Sequence, residues 1–328
     1  MGEYKSLTAS ECAKRIEEIE KPIIAMHARP DGDTAGGCAA LINIFSQLGK
    51  EARYICQDAV PKRLEFILDG CNSADLSELG ECNIIAVDVA SEAQLGSIWK
   101  KIPAPVLMID HHEIGSPFSD NFIIPGASSA AEVVMQLAEE LIALGRISMT
   151  EELASALYAG ISSDTSGFRY SSTSPETMRR AAELMSMGIN HSDINHKLFT
   201  TKSHAQLAAE GFVAGSILTA EDGKIAYSTV TLDDAKRLGA DMTDFETAID
   251  VIRSLEGVQI AFVVKDLGNC SFRVSIRSLG ADVASIASLF GGGGHIRAAG
   301  CRVCAESAAE AASAVLEKIK QAHFFSHG

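Results

Sequence analysis

The chain has 328 residues, 47% of them hydrophobic and 22% charged, so two globular domains with ample cores are expected. Its net charge of −15 excludes a long basic track for duplex DNA but not a small anionic substrate, because bound divalent cations invert the local field. No apolar run approaches the ~20 residues that span a bilayer, and residues 1–10 lack a signal-peptide core, so a cytoplasmic protein with no membrane partner is expected.

In chain order, Pro22-Ile23-Ile24-Ala25-Met26 reads as a buried parallel strand and residues 38–48 as an apolar helix. A strand at 52–56 precedes a helical 61–68, Asn83–Val87 precedes a helical 93–101, and strands follow at 106–109 and 122–124. This alternation predicts an α/β fold, a parallel sheet with helices on both faces. The chain then turns helical: from Ser128-Ser129 to 144, from Thr150 to about 162, and from Ser174-Pro175, with proline in the first turn.

These elements make a first domain of residues 1–189, followed by a helical connector at 190–212 and a smaller α/β domain at 213–328. The second domain is expected to hold a strand at 224–231 and helices at 233–238 and 245–255. A hairpin of 258–265 and 271–276 follows, turning at Asp266-Leu267-Gly268-Asn269. A helix at 283–290, a glycine run at 291–294, a strand at 300–303 and a helix from Ser307 complete it. Of eight cysteines only Cys301 and Cys304 form a C-x-x-C pair, and a zinc site would need a second pair. All eight are read as buried thiols in a reducing compartment.

Residues with chemistry gather where strands end. His27, Asp31 and Asp33 lie in the turn after the first strand, the kind of place where open α/β sheets bind ligands. The Asp-x-Asp pair alone reads equally as a solvated turn or a helix cap. Asp88 ends Ile84-Ile85-Ala86-Val87, Asp110-His111-His112 ends Val106-Leu107-Met108-Ile109, and Asp164 follows the helix that ends near Ser162. Four carboxylates and two imidazoles (His27, Asp31, Asp33, Asp88, His111, Asp164) are too oxygen-rich for structural zinc and too nitrogen-bearing for a calcium cage. They suit Mn²⁺, with Mg²⁺ or Co²⁺ as alternatives. Six ligands exceed what one catalytic ion with an open position can use; two ions about 3.5–4 Å apart, sharing a carboxylate, use them all.

His-x-Arg-Pro-Asp-x-Asp, a lone Asp after a strand, Asp-His-His and Asp-Thr-x-x-Phe together resemble the four motifs of the DHH phosphoesterase superfamily. Gly291-Gly292-Gly293-Gly294-His295-Ile296-Arg297-Ala298-Ala299-Gly300 resembles the glycine-rich signature of the DHHA1 domain. The resemblance runs from about residue 22 to 300 and is nearest the type comprising nanoRNases and 3′-phosphoadenosine 5′-phosphate (pAp) phosphatases. It implies that His27 and Asp31 hold one Mn²⁺, that Asp33, His111 and Asp164 hold the other, and that Asp88 bridges both. It further implies that Asp110 orients His111 and that His112 faces the scissile phosphate. Gly37 departs from the serine that the family often has there, which would loosen a phosphate or helix-start hydrogen bond.

In the second domain Arg273, Ser275 and Arg277 alternate onto one strand face. Gly293 and Gly294 would let backbone N–H groups approach an anion, and His295 adds a donor. Together they suggest a phosphate and nucleotide clamp. Tyr170 or Phe168 would either stack on a base or belong to the core. The expected reaction is hydrolysis of short RNA to mononucleotides, or of pAp to AMP. The alternatives are a cyclic-di-AMP or pApA phosphodiesterase and a non-catalytic nucleotide-binding module. A homodimer is compatible with the sequence.

Overall fold

Thr8 accepts a hydrogen bond from the Glu11 N–H while the Glu11 carboxylate accepts from the Thr8 N–H, and this reciprocal cap opens α1 (Ala9–Glu18). This helix precedes the first expected element at Pro22, and Thr8-x-x-Glu11 is its signature in the sequence. The computed structural model describes residues 4–322 and 324. They divide into two compact units, one ending at Thr201 and the other beginning at Lys202.

In the first unit, β1 (Pro22–Met26), β2 (Arg53–Ile55), β3 (Asn83–Val87), β4 (Leu107–Asp110) and β5 (Asn121–Ile123) form a wholly parallel sheet in the order β2-β1-β3-β4-β5. With α1, α2 (Gly32–Gln47), α3 (Ala130–Ala143), α4 (Glu151–Asp164), α5 (Pro175–Ser186) and α6 (His191–Asn195) supply its α-helices. The strands are apolar on both faces, as a covered parallel sheet requires. Ile24, Met26, Ile85, Val87 and Ile109 share one core with residues of α1 to α5. Ile23, Ala25, Ile84, Ala86 and Met108 share another with Leu95, Ile98 and Phe118. The second face is covered by the 3₁₀ segment Glu92–Lys100, which Gly96 breaks at a φ of 66°. The expected helix at 61–68 is likewise a 3₁₀ turn, Lys62–Ile67.

Helices α2 and α4 are in backbone contact. A Cβ on Gly36 would come 2.7 Å from the Ala156 carbonyl and the Gly160 nitrogen. Gly37 is buried within α2, where a Cβ would meet Val87 Cγ2 at 2.9 Å. The hydrogen bond weighed for a serine there therefore does not belong to the helix start.

Segment 190–212 holds α6, a π-helical turn (His196–Thr200) and most of α7 (His204–Gly215), and the division between units falls inside it. The second unit continues with β6 (Leu218–Ala220), β7 (Ile225–Val230), α8 (Leu232–Leu238), α9 (Ala248–Arg253), β8 (Ile260–Asp266), β9 (Ser271–Ser278), α10 (Val283–Ser288), β10 (Gly293–His295), β11 (Ala298–Cys304) and α11 (Ala308–Gln321). The sheet runs β10-β11-β9-β8-β7-β6, antiparallel except for β7 beside β8. Phe262, Val264, Val274 and Ile276 pack with Val283, Ile286, Val315 and Ile319 on one face. Ala261 and Val263 pack with Val213, Ile249 and Ile252 on the other.

The glycine run is not a loop throughout, because β10 pairs with β11. Gly294 has a φ of 140°, and a Cβ on it would lie 2.7 Å from Ala299 Cα. All eight cysteines are free thiols, with Cys301 and Cys304 on opposite faces of β11. Only Cys12, Cys38 and Cys301 are buried, however; Cys270 and Cys304 are exposed, since one lies in the turn before β9 and the other ends β11. Among the described residues no helix is long and apolar enough to cross a membrane.

Candidate metal centre

α2 begins at Gly32 rather than at Cys38. Its cap is Asp31, whose Oδ1 accepts from the N–H groups of Asp33 at 3.0 Å and Thr34 at 3.1 Å. Asp33 therefore sits in the first helical turn. Both its oxygens accept from the start of α3, Oδ2 from Ala130 N at 2.6 Å and Oδ1 from Ala131 N at 2.9 Å. Asp88 follows β3 with a φ of 58°, a left-handed conformation that Asp tolerates better than most residues. Its N–H donates to the Ile109 carbonyl at 3.0 Å. Asp110 ends β4 and Asp164 ends α4.

The six expected ligands converge at the carboxyl ends of β1, β3 and β4. The chain departs from β1 to β2 on one side and to β3 on the other, so this is the switch point of the sheet. Two triads form, His27–Asp31–Asp88 and Asp33–His111–Asp164, each with its ligating atoms within 4.8 Å of one another. His27 Nε2 lies 3.6 Å from Asp31 Oδ1 and 3.4 Å from Asp88 Oδ2. His111 Nε2 lies 3.9 Å from Asp33 Oδ2, 3.7 Å from Asp164 Oδ2 and 3.7 Å from Asp88 Oδ1. Each oxygen of Asp88 thus faces the imidazole of a different triad.

The ring orientations are fixed from behind. His27 Nδ1 donates to the Ala28 carbonyl at 2.9 Å and His111 Nδ1 to the Ala127 carbonyl at 3.1 Å, which presents Nε2 of both to the carboxylates. Asp110 does not orient His111. Its Oδ1 accepts from His112 Nδ1 at 2.7 Å, because residues two apart on extended chain share a side. The Ala127 carbonyl and the α3 amides are invisible to a motif search; only Ser128-Ser129 marks where that helix opens.

Without a cation the cluster is electrostatically frustrated. Burial, then Asp88, Asp164 and Asp31, push the Asp33 carboxyl well above the usual carboxylate range, and burial lifts Asp164 to about 7. Burial opposes a charge on His27, yet Asp31 and Asp88 outweigh it and raise the imidazole to about 11. Crowded carboxylates beside imidazoles turned Nε2-inward form a donor set that could hold a divalent cation.

The family model for the DHH family, N-terminal domain, matches residues 21–161, and the model for the DHHA1 domain matches residues 222–322. The chain belongs to the DHH family. It is a phosphoesterase, and its second unit carries a DHHA1 domain. It is similar to the bifunctional oligoribonuclease and PAP phosphatase NrnA of Thermus thermophilus, 29% identical over 94% of this chain and 92% of that protein. The NrnA of Bacillus subtilis is 24% identical over 96% of this chain and 99% of its own length. An exopolyphosphatase-related protein from Bacteroides fragilis has the same fold, with a TM-score of 0.87, 24% identity and 96% of both chains covered.

Within the DHHA1 domain, Arg273, Ser275 and Arg277 do share one face of β9. Arg273 is engaged there: its Nη1 lies 2.8 Å from Glu246 Oε1, which is also 3.7 Å from the buried Lys265 Nζ. Burial lowers the Lys265 pKa, so Glu246 compensates a crowded cationic corner. Arg277 Nη1 donates to the Ile276 carbonyl at 3.0 Å. Gly293, Gly294 and the backbone of His295 form β10, and the His295 side chain lies outside the described residues. Phe168 packs against the first core with its ring 5.8 Å from that of Tyr158, whereas Tyr170 is 43% exposed. Of these two rings Tyr170 is the more exposed.

Proposed function

We propose that this DHH phosphoesterase hydrolyses short oligoribonucleotides to mononucleotides and pAp to AMP, using two divalent cations, best matched by Mn²⁺. One observation carries the two-cation reading: the Asp88 carboxylate offers one oxygen to each triad. The substrate class is supported by the Thermus thermophilus and Bacillus subtilis relatives, oligoribonucleases and PAP phosphatases by name, which match nearly the whole chain. His27, Asp31 and Asp88 would hold one cation and Asp33, His111, Asp164 and Asp88 the other. Bound there, the cations supply Lewis-acid polarisation of a phosphoryl oxygen and a nucleophile at neutral pH.

The chain's own contribution is proton placement. The hydrogen bond that His112 donates to Asp110 raises this imidazole to about 9 despite its burial, which suits it to donate a proton to a departing oxygen. Asp110 keeps Nδ1 occupied and leaves Nε2 as the donor. In the DHHA1 domain, taken by itself, Arg277 and the backbone of Gly293 and Gly294 would form a phosphate-binding face.

The test is the purified chain with Mn²⁺, Mg²⁺ or Co²⁺, offered RNA of two to five nucleotides, pAp, pApA, cyclic di-AMP and pyrophosphate side by side. RNA and pAp should be hydrolysed, fastest with Mn²⁺, and a chelator should abolish turnover. Turnover of only cyclic di-AMP or pyrophosphate would replace the substrate assignment. Turnover that survives the chelator would remove the cations.

A further inference from the structure

Glu132 is 4% exposed and Arg180 is 9% exposed, a buried ion pair that the proposed chemistry does not use. Such a pair is weak evidence for stability in itself, because desolvating two charges offsets their attraction. Its contacts point elsewhere. Glu132 Oε2 accepts from the Ser128 N–H at 3.0 Å, from Ser128 Oγ at 2.5 Å and from Thr177 Oγ1 of α5 at 3.2 Å. Glu132 Oε1 faces Arg180 Nε at 3.5 Å, and Arg180 Nη1 reaches Glu139 at 2.7 Å. One buried carboxylate therefore pins the turn that leads into α3, and α5 pins the carboxylate.

That same turn holds two ligands. The Ala127 carbonyl fixes the His111 ring, and the Ala130 and Ala131 amides hold both oxygens of Asp33. All three groups lie within five residues of Glu132 in sequence, and both ligands belong to the Asp33–His111–Asp164 triad. The other triad is fixed from different places: His27 by the Ala28 carbonyl, Asp31 by the start of α2.

We propose that Glu132 is a positioning residue for one cation position only, the Asp33–His111–Asp164 triad, acting through the 127–131 turn. This rests on the two-cation reading above. Groups behind metal ligands typically change affinity by about 10- to 100-fold when lost.

The experiment is a Mn²⁺ titration by calorimetry on the wild-type chain, on Glu132→Gln and on Thr177→Val, with thermal melting of each metal-free protein. Glu132→Gln should bind one Mn²⁺ with wild-type affinity and the other roughly tenfold to a hundredfold more weakly. Thr177→Val, which removes one arm to Glu132 together with the Thr177 Oγ1 half of the cap on α5, should weaken the same ion less. In a His27→Ala background the loss should persist in the remaining site; in a His111→Ala background Glu132→Gln should add little. A double variant, Glu132→Leu with Arg180→Met, removes the buried charges together. It should regain melting temperature without regaining the affinity of the weakened ion. Equal weakening of both ions, or affinity restored along with stability in the double variant, would overturn the proposal and leave a purely structural pair. Two ions at wild-type affinity in Glu132→Gln and Thr177→Val would overturn it too. Fewer than two Mn²⁺ in the wild type would instead overturn the two-cation reading, and this proposal with it.

Discussion

The parallel sheet of the first unit and the largely antiparallel sheet of the second carry charge in opposite ways. β1, β3 and β4 are apolar on both faces, so charged residues occur only at or past their carboxyl ends, where Asp88, Asp110, His111 and His112 collect around the β1–α2 turn. β9 and β11 alternate instead, with one face in the core and Arg273, Arg277 and Arg302 along the other. The first arrangement crowds carboxylates and imidazoles into groups that could hold a cation. The second spaces guanidinium groups along a surface, where each can be paired separately. Chemistry at an edge depends on tertiary convergence, whereas binding along a face depends on strand register.

The comparison predicts steep losses at the edge and graded ones on the face. Asp88→Asn halves the bridging charge while keeping the shape, and Asn accepts the left-handed backbone there. Hydrolysis should fall on the order of 10³-fold, with Mn²⁺ uptake weakened at both positions and the melting temperature of the metal-free protein unchanged or raised. Near-normal turnover at saturating Mn²⁺ would break the edge half of the comparison. His112→Ala should lower kcat by about 100-fold while two ions remain bound; metal analysis showing one ion lost would make His112 a ligand.

On the face, Arg277→Ala should remove a charged phosphate hydrogen bond worth about 1.5–3 kcal/mol. KM for dinucleotides or pAp should rise tenfold to a hundredfold, and a minimal aryl phosphodiester should hardly respond. Equal losses on both substrates would reject a clamp. Arg273→Ala should have the smallest effect, under threefold on KM, because that guanidinium already pairs with Glu246. A KM effect matching that of Arg277→Ala would show that Arg273 exchanges Glu246 for substrate.

Much of the edge was legible because its residues are side-chain donors placed directly after apolar strands. His27, Asp31, Asp33, Asp88, His111 and Asp164 are brought together as anticipated, since each follows or ends a strand or helix recognisable from its apolar run. The resemblance paired Asp110 with His111, but the period-2 alternation of extended chain sets Asp110 and His112 on one side, and His111 turns to the Ala127 carbonyl, which the sequence does not mark. The helical start at Gly32 was hidden because Gly32, Gly36 and Gly37 lower intrinsic helix propensity. α4 and β3 nevertheless need backbone close approach at Gly36 and Gly37.

The sequence by itself determined the two α/β halves, the donor chemistry of the site and the alternation of Arg273, Ser275 and Arg277, because periodicity and residue type are local properties. Only the tertiary structure decided which oxygen of Asp88 faces which triad, that α3 offers its first amides to Asp33, that Glu132 anchors that turn, that Arg273 is engaged by Glu246, and that glycines 293 and 294 form an edge strand. Those contacts join residues far apart in the chain or use backbone groups. A peptide N–H or carbonyl is the same in every residue until the fold gives it a direction.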